Sequence, residues 1–205
     1  MSFEALPRAH YAAIYADPPW RYRTYNDRGR SRCPDWKPYK GSPVRHYETA
    51  AIEDIRALPV ASLAADDCAL FLWITWPLLL DALSVIDAWG FEYKSCAFAW
   101  MKAHADQIEM FRDDFDALMG NGYWTRANSE VCLLATKGNP KRLNAGVRQA
   151  IIEPRRQHSR KPDCVYERIE RLVAGPYLEL FARTQRPGWD AWGNEVHKFT
   201  RAMEA

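Results

Sequence analysis

Asp17-Pro18-Pro19-Trp20 puts a carboxylate, two rigid backbone units and an indole directly after the apolar run YAAIYA at residues 11–16. An aromatic exocyclic amine is a poor nucleophile because its lone pair is delocalised into the ring. The Asp17 carboxylate and the Pro18 carbonyl could each hold one of its N–H groups and draw the nitrogen toward tetrahedral geometry. They would also stabilise the positive charge that grows as it attacks an electrophile. The prolines, Pro18 and Pro19, remove backbone freedom, and Trp20 offers a face on which a ring can stack. Taken alone, the motif reads equally well as prolines ending a strand.

Such a motif needs a framework that aims it. YAAIYA (11–16), CALFLWI (68–74), KSCAFAWM (94–101), EVCLLAT (130–136), AIIE (150–153) and YLELFA (177–182) read as strands buried on both faces. Helices are expected over 51–58, over 77–90 with Leu79, Leu83 and Ile86 facing inward, and over 161–175 with Val165, Ile169 and Leu172 facing inward. The last two have Pro77 and Pro162 near their starts and stop at Gly90 and Gly175. The alternation predicts an α/β fold: a mostly parallel sheet with helices on both faces, whose ligands bind at the carboxyl ends of the strands. With 205 residues, one domain is expected, carrying insertions at about 21–48 and 103–128.

The net charge is only +2, yet basic residues are concentrated. Residues 21–45, which include Arg21 and Arg23, set eight Arg or Lys against Asp27 and Asp35 alone. Residues 137–161 set eight against Glu153. Such segments suit a phosphate backbone and equally suit solvated loops. Cys33, Cys68, Cys96, Cys132 and Cys164 form no C-x-x-C pair, and the five histidines are scattered. Free thiols, no metal site and a cytoplasmic location are expected. No apolar run reaches the ~18 residues of a membrane span.

The motif and its companions resemble the MT-A70 adenine-N6 methyltransferases, whose signature is D-P-P-W. The likeness runs in family order through HYETAAIEDI (46–55), LFLWITWPLLLDALSVIDAWGFEYKSCAFAWMK (70–102), NGYWTRANSEVCLLATKGNP (121–140), RRQHSRKPDCVYERIERL (155–172) and LELFARTQRPGWDAWGNE (178–195). It implies a Rossmann-like methyltransferase fold with permuted motif order. It also implies S-adenosylmethionine as cofactor, with S-adenosylhomocysteine as product, and no metal.

By position, the resemblance places Asp17 near both the target amine and the cofactor ammonium, and Lys161 against the cofactor carboxylate. A cation ahead of Pro162 opposes the helix dipole, which favours a ligand over a solvated helix start. Glu179, Leu180 and Phe181 are implied at the cofactor's ribose or ammonium. Arg183, Gln185 and Asn194 are implied as hydrogen-bonding partners of ribose and carboxylate; Gln185 stands where some members have His. Glu195 replaces a Gln of other members, with an exposed terminal charge as the alternative. Trp20 and Tyr47 are implied as walls of the base pocket, Glu130 beside the substrate adenine or as an edge-strand carboxylate, and Arg21 and Arg23 on the nucleic acid. Contacts to the cofactor adenine are expected from Phe3–Arg8 or from the C-terminal residues.

The activity this implies is methyl transfer to adenine N6 in nucleic acid. The compact HSRKPD and RPGWDAWGNE forms resemble small bacterial or phage members, which favours DNA over RNA. The alternatives are an RNA methyltransferase, a catalytically silent nucleic-acid-binding subunit, or an enzyme for a non-polymeric amine. Target choice would come from the two insertions, a partner subunit or a homodimer.

Overall fold

Each of the six apolar runs forms a strand in the computed structural model, which describes residues 2–21, 49–103, 127–154 and 160–199. The strands are β1 (Tyr11–Ala16), β2 (Ala64–Ile74), β3 (Glu92–Ala103), β4 (Ser129–Lys137), β5 (Ala150–Pro154) and β6 (Tyr177–Leu180), joined by β7 (Trp189–Trp192). They form one sheet in the order β5-β3-β4-β2-β1-β6-β7. Parallel pairs join β1 to β2 and β6, β3 to β5, and β6 to β7. β4 alone runs against its neighbours β2 and β3. The sheet is therefore mixed but mostly parallel, a Rossmann-like α/β arrangement.

Alternate residues of the central strands feed two cores. Ile14, Leu70, Leu72 and Ile74 face Ile55 of α1 (Ile52–Ala57) and Val85 and Ile86 of α2 (Leu79–Ala88). Tyr15, Phe71 and Trp73 face Val165 and Ile169 of α3 (Cys164–Leu172) on the other side. Because both faces are covered, these strands read as unbroken apolar runs rather than alternating ones. Val165 and Ile169 are fully buried, and each contributes roughly 2 kcal/mol.

Three details differ from the sequence reading. β7 is an additional strand: Trp189-Asp190-Ala191-Trp192 is short and contains a carboxylate, and it closes the sheet edge beside β6. Helix α2 begins two residues late, because Pro77 lies in a 3-10 turn, Trp76–Leu78. Its inward stripe is Ala82, Val85 and Ile86, with Leu79 and Leu83 only half-buried at the rim. Helix α3 is shorter than 161–175, starting after Pro162 and Asp163, whose carbonyls accept the Val165 and Tyr166 N–H groups. Gly90 ends the α2 unit as expected, at φ +76, where side chains are disfavoured. The acidic stretch read as helical within 103–128, and most of the basic insertion 21–48, lie outside the described residues.

Candidate active site

Strand order reverses around β1, which has β2 on one side and the late strand β6 on the other. In open α/β sheets that switch point is where the carboxyl ends leave a crevice. Asp17 directly follows β1, and Phe181 directly follows β6. Because β4 is reversed, its amino end brings Ser129 and Glu130 to the same edge as Lys102 at the end of β3.

The backbone of the Asp17 motif is pinned at every step. The Trp20 N–H donates to the Pro18 carbonyl at 2.7 Å, closing a three-residue turn. The Ala50 N–H donates to the Pro19 carbonyl at 3.0 Å. The Trp20 indole N–H donates to the Trp73 carbonyl on β2 at 2.8 Å. Trp20 is only 4% exposed, so its placement differs from the open stacking face that the sequence suggests: the indole braces the loop against β2. The Pro18 oxygen keeps a second lone pair beyond the turn hydrogen bond.

Lys161, just ahead of α3, carries an ammonium 2.8 Å from both carboxylate oxygens of Asp17 and 3.3 Å from Glu130. It also lies 5.4 Å from the Trp73 ring centre, over its face. Lys102 bonds to Glu130 from the neighbouring strand. The result is an alternating chain, Lys102–Glu130–Lys161–Asp17, across four segments remote in sequence. Burial would lower the Lys161 pKa, but Asp17 and Glu130 outweigh it and raise the pKa above its usual range. Burial pushes the Glu130 carboxyl up, yet Lys161 and then Lys102 hold it down at about 2. Its stabilising contribution is therefore present above the usual carboxylate value and lost as pH falls toward 2.

Glu179 behaves oppositely. It is 7% exposed and accepts a hydrogen bond from the Tyr166 hydroxyl at 2.9 Å. Burial, reinforced by the nearby Asp17 charge, raises its carboxyl from 4.5 to about 8 against the pull of Tyr166, Arg183 and Arg186. The folded protein thus keeps a proton there that the unfolded chain has released, and stability falls as pH rises from about 4.5 to about 8. Glu179→Gln removes that titration. Denaturation midpoints measured across this window should fall less steeply for the variant than for the wild type; parallel curves would contradict the buried neutral acid.

Past β6 the chain turns sharply, with Phe181 at φ 60, a rare conformation for a side-chain-bearing residue. This turn carries Arg183, whose Nε lies 3.5 Å from Glu195. Asp17, Lys161, Glu179, Phe181 and Arg183 share a narrow crevice with Phe199. Gln185, Asn194 and Glu195 line a separate and larger cleft of about 780 Å³ along β7. The Arg183–Glu195 pair connects the two spaces. Gly193 permits the close approach beneath that pair: a Cβ there would lie 2.7 Å from both the N and O of Ala182. Gly193→Ala should cost about 1–3 kcal/mol, readable by denaturant titration, as backbone must shift; an unchanged midpoint would contradict this packing.

Of the remaining sequence-derived candidates, Leu180 is fully buried as the last residue of β6 and Arg21 is exposed directly after Trp20. Tyr47 and Arg23 lie outside the described residues. Phe3 meets Trp192 edge-on at 5.0 Å, and Trp192 meets Phe181 at 5.5 Å, so the N-terminal segment is linked through Trp192 to the turn after β6. Lys102 ends the family-like segment 70–102 and Tyr166 lies inside 155–172, and the residue types alone point to no role for either. Among the described residues no cluster of three or more His, Cys, Asp or Glu could hold a metal ion, and no helix is long and apolar enough to cross a membrane.

The site is a Rossmann-like sheet with a carboxylate–ammonium pair at its switch point. The sequence pattern of the MT-A70 family matches residues 11–195. The chain is 35% identical over 204 residues to the type II methyltransferase M.MunI of Mycoplasma sp, covering 95% of this chain and 81% of that protein. It is 30% identical to the human N(6)-adenosine-methyltransferase catalytic subunit METTL3 and 31% identical to the Drosophila melanogaster N(6)-adenosine-methyltransferase MT-A70-like protein. Each of these alignments covers 91% of this chain, but only 28% and 27% of those longer proteins. The chain belongs to the MT-A70 family, and with it to the S-adenosylmethionine-dependent adenine-N6 methyltransferases.

Proposed function

We propose that the chain methylates N6 of adenine in DNA rather than RNA, as a single domain in the cytoplasm. The Asp17–Lys161–Glu130 arrangement carries the catalytic reading, because it sets a half-buried carboxylate of the Asp-Pro-Pro-Trp motif directly beyond β1, at the edge where open α/β sheets bind ligands. DNA is favoured by the compact motif forms. It is also favoured by the 35% identity to the relative named a type II methyltransferase, against 30–31% to the relatives named N(6)-adenosine-methyltransferases.

Asp17 and the Pro18 carbonyl accept the two N–H groups of the adenine amine. Each Asp17 oxygen retains a lone pair while bonded to Lys161, so both duties are compatible. Lys161 holds the cofactor carboxylate, and Glu179, Arg183, Gln185, Asn194 and Glu195 orient its remaining polar groups. The cofactor supplies an electrophilic methyl group. As the amine nitrogen becomes positive, the Asp17 charge stabilises it in a site whose dipoles are already fixed. The cationic product amine is acidic and releases a proton to solvent, so no dedicated base is needed.

Glu130 and Tyr47 border the adenine, and the basic residues of 21–45, including Arg21 and Arg23, and of 137–161 bind phosphates. Adenine reaches the edge unstacked, from a single strand or a flipped base. Self-association or a partner subunit completes target selection. Methyl incorporation into matched single-stranded and duplex DNA and RNA tests the proposal. Preferential labelling of DNA is expected; preferential labelling of RNA would reverse the substrate assignment.

A further inference from the structure

Most tryptophans among the described residues are core residues: Trp20, Trp73, Trp89, Trp100 and Trp189 are each at most 5% exposed. Trp76 is 52% exposed. It lies two residues beyond the end of β2, the strand between β1, which Asp17 directly follows, and β4, which carries Glu130. Its indole N–H donates to the Ser129 hydroxyl at 3.2 Å, immediately before Glu130. Pro77 follows it in the 3-10 turn and restricts the backbone. Behind it, the Thr75 hydroxyl is buried without a hydrogen-bond partner. Leu80, four residues further on, is 80% exposed.

An exposed indole with one edge tied down is not a loose surface residue. The hydrogen bond and the proline hold its ring in a fixed place, which reduces the entropy lost when a planar group meets it. Its location narrows what that group can be. Trp76 stands on the same edge as Glu130, Lys161 and Asp17, so a molecule against it is continuous with whatever presents the amine. Trp20, the aromatic residue of the motif itself, is committed to the core and leaves this role open.

We propose that Trp76 stacks on a base adjoining the adenine that is methylated. This rests on the nucleic-acid reading given above and adds to it a specific contact and a requirement for a neighbouring base. Stacking on an indole is tolerant of sequence because every base has a π-face. Trp76 therefore favours a polymer over a free nucleoside without selecting a sequence.

The test uses a short single-stranded oligodeoxynucleotide with one adenine, alongside versions made abasic at either neighbour. Trp76→Leu keeps apolar bulk without a stacking face, and Trp76→Phe keeps a smaller face. Trp76→Leu should raise KM about ten-fold or more, with kcat and S-adenosylmethionine affinity close to wild type. Trp76→Phe should recover most of the loss. One abasic neighbour should impose a similar KM penalty on the wild type and little further penalty on Trp76→Leu. Equal KM for wild type and Trp76→Leu, or an abasic penalty identical in both, would overturn this inference alone. If Trp76→Leu loses cofactor affinity through misfolding, the wild-type and Trp76→Phe abasic comparison decides: no penalty at either neighbour overturns the inference. A wild-type protein that neither binds nor labels any oligonucleotide overturns the nucleic-acid reading and this inference with it.

Discussion

Asp17→Asn is expected to lower kcat for methyl transfer by about 10²–10³-fold, the usual consequence of losing one preorganised group at developing charge. The substitution keeps the shape of the side chain and one acceptor oxygen. It removes the negative charge that favours a cationic nitrogen. The pinned backbone of Pro18, Pro19 and Trp20 does not depend on the Asp17 side chain, so the variant should fold. Single-turnover kinetics with saturating cofactor would separate the chemical step from binding. A rate within a few-fold of wild type would contradict the assigned role.

Lys161→Met should have the second large effect, and it should appear in stability as well as in cofactor binding. The Lys161 side chain is 12% exposed and those of Asp17 and Glu130 are 17% and 20% exposed. Removing one member of such a buried group leaves charge without compensation and costs about 3 kcal/mol. Glu130 would lose its largest stabilising neighbour, and its carboxyl would rise from about 2 toward the ordinary range. The acid limb of the stability profile should consequently move to higher pH. Cofactor affinity should fall by at least about ten-fold, as expected for a lost carboxylate–ammonium pair. Calorimetric titration and denaturation measured against pH read both effects, and an unchanged acid limb would contradict the charge chain.

What the sequence revealed depended on how local each signal was. YAAIYA is a complete apolar run with two prolines just beyond Asp17, and β1 occupies those residues, with Asp17 directly after it. Trp189-Asp190-Ala191-Trp192 gave only a four-residue pattern with a carboxylate, whose partner, the Tyr11 hydroxyl at 2.6 Å, lies far away in sequence. Its strand character comes from pairing with β6. The burial of Trp20 was hidden for the same reason, since the Trp73 carbonyl that receives its indole N–H belongs to another strand. The Lys102–Glu130 pair arises from the antiparallel register of β3 and β4, which no local spacing encodes. Trp76 falls between the run 68–74 and the helix expected over 77–90, and its exposure comes with the 3-10 turn Trp76–Leu78 that follows β2.

The central claim is that the Asp17 motif directs methyl transfer to the adenine amine. The most direct measurement is recovery of labelled nucleosides after incubating the protein with labelled S-adenosylmethionine and DNA, with Asp17→Ala in parallel. The account predicts label confined to N6-methyladenine and reduced by at least about 10²-fold in the variant. Label on another base, or label at N6 undiminished by Asp17→Ala, would contradict it.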